Sequence, residues 1–199
     1  GSSMDVNLCY GIPPIEQRDR YYEAHDLIMK AWQTDEIFPW NGRYYQLPMV
    51  NLWPRPIQQP HPPVWVPGSG SRSTWDFATN NDHCYCYLSY YGSALGKRIM
   101  DGFWEFVENK GLDRNPYRAG FLQLVAVSET VAQAEKDYYQ HIRYFYDKTQ
   151  YIAPEFMMAP GHVDYRSMEH TFRGGAREQI GGILSAMKDW KFKDFVDNR

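Results

Sequence analysis

Gly68, Ser69, Gly70, Ser71 and Arg72 put two glycines, two hydroxyls and a guanidinium into consecutive positions. They lie inside PVWVPGSGSRSTWDFATNNDHCYCYLSYY, the stretch from Pro63 to Tyr91. A turn of this kind at the start of a helix gathers backbone N–H groups, hydroxyls and the positive end of the helix dipole, which is the chemistry that holds a phosphate. The same residues also read as a compact strand-to-helix turn with a serine N-cap and no ligand at all. A second constellation, Cys84-x-Cys86, sets two thiols on one face of a strand, with His83 on the other. Tetrahedral zinc takes four ligands and the chain has no second cysteine pair, so the expectation is ordinary strand packing and no metal. His141, His162 and His170 share no metal-ligand spacing, and His25 reads as a surface or core-edge histidine. No residue is assigned as catalytic acid or base.

The elements that would position the turn follow from periodicity. Val64–Val66 reads as a short strand, Arg72 to Asn80 as a helix, and His83–Ser89 as an aromatic, β-favouring strand. Strand, tight turn, helix and strand make a βαβ unit, the crossover that parallel strands need. Upstream, Ile15 to Gln33 reads as a helix with Tyr21, Ala24, Ile28 and Ala31 on one stripe, and with Glu16/Arg20 and Asp26/Lys30 as i,i+4 pairs. Residues 35–62 form a long connection rich in proline and aromatics. Its Asn41-Gly42 step, flanked by aromatics, is a hairpin signal, and five prolines in WPRPIQQPHPP forbid helix and central strand alike. Downstream come a helix over Ser93 to Lys110, with Ile99, Phe103, Phe106 and Val107 on its apolar face, and a strand over Phe121–Val127. A capping box at Thr130-Val131-Ala132-Gln133 opens a helix running to about Gln150. The stretch Pro154 to Thr171 has no period, and a last helix, Arg177 to Trp190, leads into a strand at Phe192–Val196.

Alternating strands and helices give α/β with a parallel sheet, expected here as a single domain over residues 1–199. A net charge of −3 with interleaved signs argues against nucleic acid as a partner. No run approaches the ~20 apolar residues of a membrane helix, and no signal peptide is legible. Three cysteines are too few and too oddly placed for a disulfide framework, so the cytoplasm is the expected compartment. The aromatic content of 17% suits either a broad core or a planar ligand and does not choose between them.

GIPPIEQRDRYYEAHDLIMKAW, NGRYYQLPMVNLWPRPIQQPHPPVWVPGSGS and VSETVAQAEKDY together resemble the bacterial luciferase-like monooxygenase superfamily, from about Tyr10 to Val196. The resemblance implies a flavin-dependent (β/α)₈ TIM barrel, of which the strands counted here would be strands five to eight. On it, Ser69 falls on the family's phosphate-contacting serine and Arg72 on a neighbouring polar contact. The Gly68, Gly70 and Ser71 amides would complete the cradle. It further implies that reduced FMN and O₂ oxygenate a small organic substrate, with a separate flavin reductase as partner; a deazaflavin is used by some relatives. A chain with half the strands of a barrel is expected to form a homo-oligomer or to associate with the missing barrel half. The alternative is a non-catalytic or truncated luciferase-like protein that binds flavin or dimerises.

Overall fold

The computed structural model describes residues 9–89 and 93–145, together with Asn7 and Lys148. The described chain falls into two compact units that meet in sequence at Pro62 and Pro63. The expected helix Arg177–Trp190, the strand Phe192–Val196, the stretch Pro154–Thr171 and the histidines at 162 and 170 lie outside the described residues.

In the first unit a 3₁₀ turn, Pro14–Glu16, leads into helix α1, Gln17–Gln33. Proline is welcome there because the first amides of a helix have no acceptor anyway. Glu16 and Arg20 form the expected pair at 2.8 Å. Asp26 and Lys30 do not: Lys30 lies 4.4 Å from the centre of the Phe38 ring, and Asp26 meets His25 instead. An ammonium over an aromatic face competes well with an exposed ion pair, which is worth little. Tyr21 and Ile28 stay 47% and 46% exposed, so the stripe read from spacing is not a buried face among the described residues.

The hairpin is present, as strands β1 (Phe38–Asn41) and β2 (Gln46–Val50), antiparallel with Asn41 opposite Gln46. Its turn is closed by Gly42 N–H donating to the Tyr45 carbonyl. The Glu23 carboxylate of α1 then fills the turn, accepting from Tyr44 N–H at 2.9 Å, Tyr45 N–H at 2.9 Å and the Trp40 indole at 3.2 Å. A Cβ on Gly42 would lie 1.7 Å from Glu23 Oε1, so this position needs glycine because a carboxylate occupies the space. Beyond β2 the proline-rich run is tied down by Arg55, which donates to the Thr34 carbonyl at 2.7 Å and pairs with Asp35 at 2.8 Å. His61 stacks on Trp32 at 6.2 Å.

The second unit holds a three-stranded parallel sheet in the order β3 (Trp65–Gly68), β4 (Cys84–Ser89), β5 (Ala119–Gln123). Helix α2 (Arg72–Asn80) joins β3 to β4, and α3 (Ser93–Asn109) with a 3₁₀ turn joins β4 to β5. Both connections are crossovers, as parallel pairing demands. β3 runs two residues past the expected end, through Pro67 to Gly68, a place where proline is tolerated because the strand is an edge in the described sheet. β5 starts and stops earlier than the expected Phe121–Val127. Its ladder pairs Tyr85 with Ala119 and ends at Ser89 opposite Gln123, so Leu124–Val127 has no strand beside it among the described residues.

One face of this sheet is packed. Val66, Tyr85 and Tyr87 meet Trp75 and Ala78 of α2 and Phe103 and Val107 of α3, with Ile99 and Phe106 at the margin. Burial of these side chains contributes about 1.5–3 kcal/mol each and fixes α2 against the sheet. Lys110 adds a cation at the C-terminal end of α2, bonding Asp76, Thr79 and Asn80 at 3.2, 2.8 and 2.6 Å. On the other face Trp65 and Leu122 are more than half exposed, and the Trp65 ring lies over Gly120, where a Cβ would come within 2.1 Å of it. After β5, Thr130 caps helix α4 (Val131–Tyr144) by accepting from Gln133 N–H at 3.1 Å. Only half of the expected capping box forms, because the Gln133 side chain bonds Asp137 at 2.7 Å instead. Among the described residues no helix is long and apolar enough to cross a membrane.

Candidate functional site

The β3–α2 turn is shaped by close approaches. Gly68 closes the strand with Thr74 Cγ2 at 2.9 Å and Tyr85 Cε2 at 3.3 Å from where its Cβ would be. Gly70 has φ of +106°, a conformation that only glycine adopts without strain, and the side chain of Ile99 crowds it at 3.0 Å. The chain therefore turns sharply between strand end and helix start, leaving Ser69 at its exposed tip.

Ser71 is the N-cap of α2. Its Oγ accepts from Thr74 N–H at 3.3 Å and lies 2.7 Å from the Thr74 hydroxyl, so this side chain is engaged within the helix terminus. Of the amides that open the helix, that of Thr74 bonds back to the Ser71 carbonyl and side chain, and that of Trp75 makes the first full helical bond to the same carbonyl. Among the described residues the amides of Arg72 and Ser73 have no acceptor. No acidic residue stands in the first turn, so the positive end of the dipole is not neutralised by the helix itself. Arg72 is exposed, its guanidinium 5.7 Å from the centre of the Phe106 ring, which braces the charge beside the helix start.

Beneath the turn stands Tyr85, wholly buried, whose hydroxyl donates to the Gly68 carbonyl at 3.1 Å. Burial first of all pushes its phenol up to about 12, helped by Tyr87 and Cys86, while the Trp75 indole and the Gly70 amide pull the other way. Among the described residues the buried Trp75 N–H has no acceptor in hydrogen-bonding geometry.

The five residues singled out in the sequence, Gly68, Ser69, Gly70, Ser71 and Arg72, thus stand together at one strand-to-helix turn, but with different duties. Ser69 and Arg72 present outward; Ser71 spends its hydroxyl on the cap; the Gly68 carbonyl is turned to Tyr85. Two participants escaped the sequence reading. The Ser73 amide is implied by the cap itself, because naming Ser71 as N-cap makes Arg72 and Ser73 the first two helical residues. Tyr85 had no local signal, being seventeen residues away from Gly68 and brought near only by the parallel register.

The remaining titratable candidates lie elsewhere. Burial raises both the Cys84 and Cys86 thiols, with Cys86 adding to the shift at Cys84, so both stay protonated near neutral pH. His83 is buried against Phe77. Among the described residues no group of three or more His, Cys, Asp or Glu is placed to hold a metal ion. The turn thus brings unbonded amides, an exposed hydroxyl and an exposed guanidinium into neighbouring chain positions, donors of the kind an anion attracts.

A family model for luciferase-like monooxygenases matches residues 1–195. A Sinorhizobium fredii protein designated y4wF is 30% identical over 135 residues, which is 66% of this chain and 38% of that protein. The FMNH(2)-dependent dimethylsulfone monooxygenase of Pseudomonas putida is 32% identical over 77 residues, 38% of this chain and 21% of the enzyme. The oxygenase component of the flavin-dependent trigonelline monooxygenase of Acinetobacter baylyi is 36% identical over 62 residues, 31% of this chain and 16% of the enzyme. The matched segments therefore cover well under half the length of these relatives. Among solved structures, monooxygenase RslO1 from Streptomyces bottropensis superposes with a TM-score of 0.56 over 97% of this chain and 56% of its own, at 15% identity, a likeness of fold.

Proposed function

The chain belongs to the luciferase-like monooxygenase family, and from that premise we propose that it is part of a flavin-dependent monooxygenase that holds the phosphate of FMN at the β3–α2 turn. One observation carries the reading: a helix start with two orphan amides and no acidic residue follows directly on a glycine turn that presents a hydroxyl and a guanidinium. When bound, reduced FMN supplies the two electrons with which O₂ is split between an oxygenated organic substrate and water.

The chain's own residues do the rest. The Arg72 and Ser73 amides and the Ser69 hydroxyl bind the phosphate, and Arg72 adds a full charge to it. The packed cluster of Tyr85, Trp75 and Phe103 keeps water from beneath the turn. On this reading the parallel strands β3, β4 and β5 are part of the wall of a (β/α)₈ barrel, and the surfaces that complete the ring pocket come from outside the described residues, in the same protein or in a second copy. A flavin reductase partner, a small organic substrate and a cytoplasmic setting complete the proposal. The exposure of Trp65 and Leu122 on the open sheet face favours a second reading, a family member that binds flavin or dimerises through this face without turnover.

Changing Ser69→Ala together with Arg72→Ala tests the site. FMN affinity, followed by quenching of flavin fluorescence, is expected to fall by about 2–4 kcal/mol, or roughly 30- to 1,000-fold. Unchanged affinity in a folded variant moves the site elsewhere. NADH oxidation with an added reductase separates the two readings, since a binder shows no substrate-dependent turnover.

A further inference from the structure

We propose that Tyr85 is a positioning residue for this turn: its hydroxyl fixes the Gly68 carbonyl and thereby sets the direction in which Ser69 and the helix-start amides face a bound phosphate. The inference rests on the reading that the turn receives the FMN phosphate.

The ring and the hydroxyl of Tyr85 do separable things. The ring is packed against Phe103 at 4.9 Å and edge-on to Trp75 at 6.1 Å between centroids, contacts that a phenylalanine would keep. The hydroxyl is a polar group carried into the apolar cluster, costly there unless it bonds. Its bond ends on the backbone of the turn, at Gly68, 3.1 Å away. A side chain on a strand leans along the strand direction, so Tyr85, paired in register with Val66, reaches Gly68. The hydroxyl is therefore anchored to the residue immediately before Ser69. With the phenol pushed up to about 12, it keeps its proton and remains a donor throughout the working pH range.

Riboflavin has the flavin ring without the phosphate, so the ratio of FMN to riboflavin affinity isolates the turn from the rest of the pocket. For Tyr85→Phe, FMN binding is expected to weaken about threefold to tenfold while riboflavin binding is unchanged, the size of one neutral hydrogen bond. A role in packing alone would move both flavins together. An FMN preference as large in Tyr85→Phe as in the unsubstituted protein overturns the inference. So does equal weakening of both flavins, or a variant that fails to fold, since ring and hydroxyl would then not be separable. If the unsubstituted protein itself shows no preference for FMN over riboflavin, the phosphate reading falls and takes this inference with it. A second measurement needs no substitution. In flavin-free protein the Tyr85 hydroxyl proton is expected to exchange with water slowly enough to be observed by NMR, and a hydroxyl proton that exchanges freely contradicts the proposed hold.

Discussion

Two turns in this chain gather backbone N–H groups around a glycine, and they differ in whether the protein itself supplies an anion to them. At the hairpin turn the protein supplies its own: Glu23 reaches from α1 and accepts from Tyr44, Tyr45 and Trp40. Desolvation raises that carboxyl, but the donors from Tyr44, Tyr45, Trp40 and Arg43 outweigh it and hold Glu23 below its ordinary value of 4.5. At the β3–α2 turn there is no carboxylate in the first turn of the helix, and two amides, Ser69 and Arg72 are left facing outward. A nest of donors with an internal carboxylate is a structural joint; the same chemistry without one is what we propose as the receptor for the FMN phosphate.

The contrast can be broken most severely from the filled side. Gly42→Ala would place a methyl 1.7 Å from Glu23 Oε1 and 2.6 Å from Trp40 Nε1, expelling the carboxylate from its donors. The expected result is a lower thermal midpoint with FMN affinity unaltered. An unchanged midpoint would mean that the carboxylate does not hold the hairpin.

A smaller effect, in acid, sharpens the same point. Because the folded-state pKa of Glu23 is depressed, its contribution is complete above the unfolded value near 4.5 and is lost as pH falls through the lower folded value. The thermal midpoint of the unsubstituted protein should therefore drop below pH 4.5 more steeply than that of Glu23→Gln, which has no carboxyl to titrate. Parallel acid limbs for the two proteins would contradict this assignment.

Much of the second unit was legible because its elements announce themselves locally. Arg72 to Asn80 and the strand beginning beside His83 emerge nearly as read, since a serine cap, helical spacing and a run of β-favouring aromatics each act over a few residues. The hairpin was placed correctly from Asn41-Gly42, yet its glycine is required by Glu23, a residue nineteen positions earlier, and not by a left-handed backbone. β5 was placed too late because Leu124–Val127 has high strand propensity, whereas the described ladder runs from Ala119 opposite Tyr85 to Gln123 opposite Ser89. The candidate site shows the same division. Gly68 to Arg72 could be found from residue types in sequence, while the Tyr85 bond to Gly68 depends on strand register, which spacing alone does not give.

The most direct test of the account is an amide-resolved NMR titration of the full chain with FMN. The account predicts that the Ser69, Arg72 and Ser73 amides shift first and furthest, while those of Tyr44 and Tyr45, already bonded to Glu23, stay in place. Shifts that spare Arg72 and Ser73 while FMN binds would contradict it.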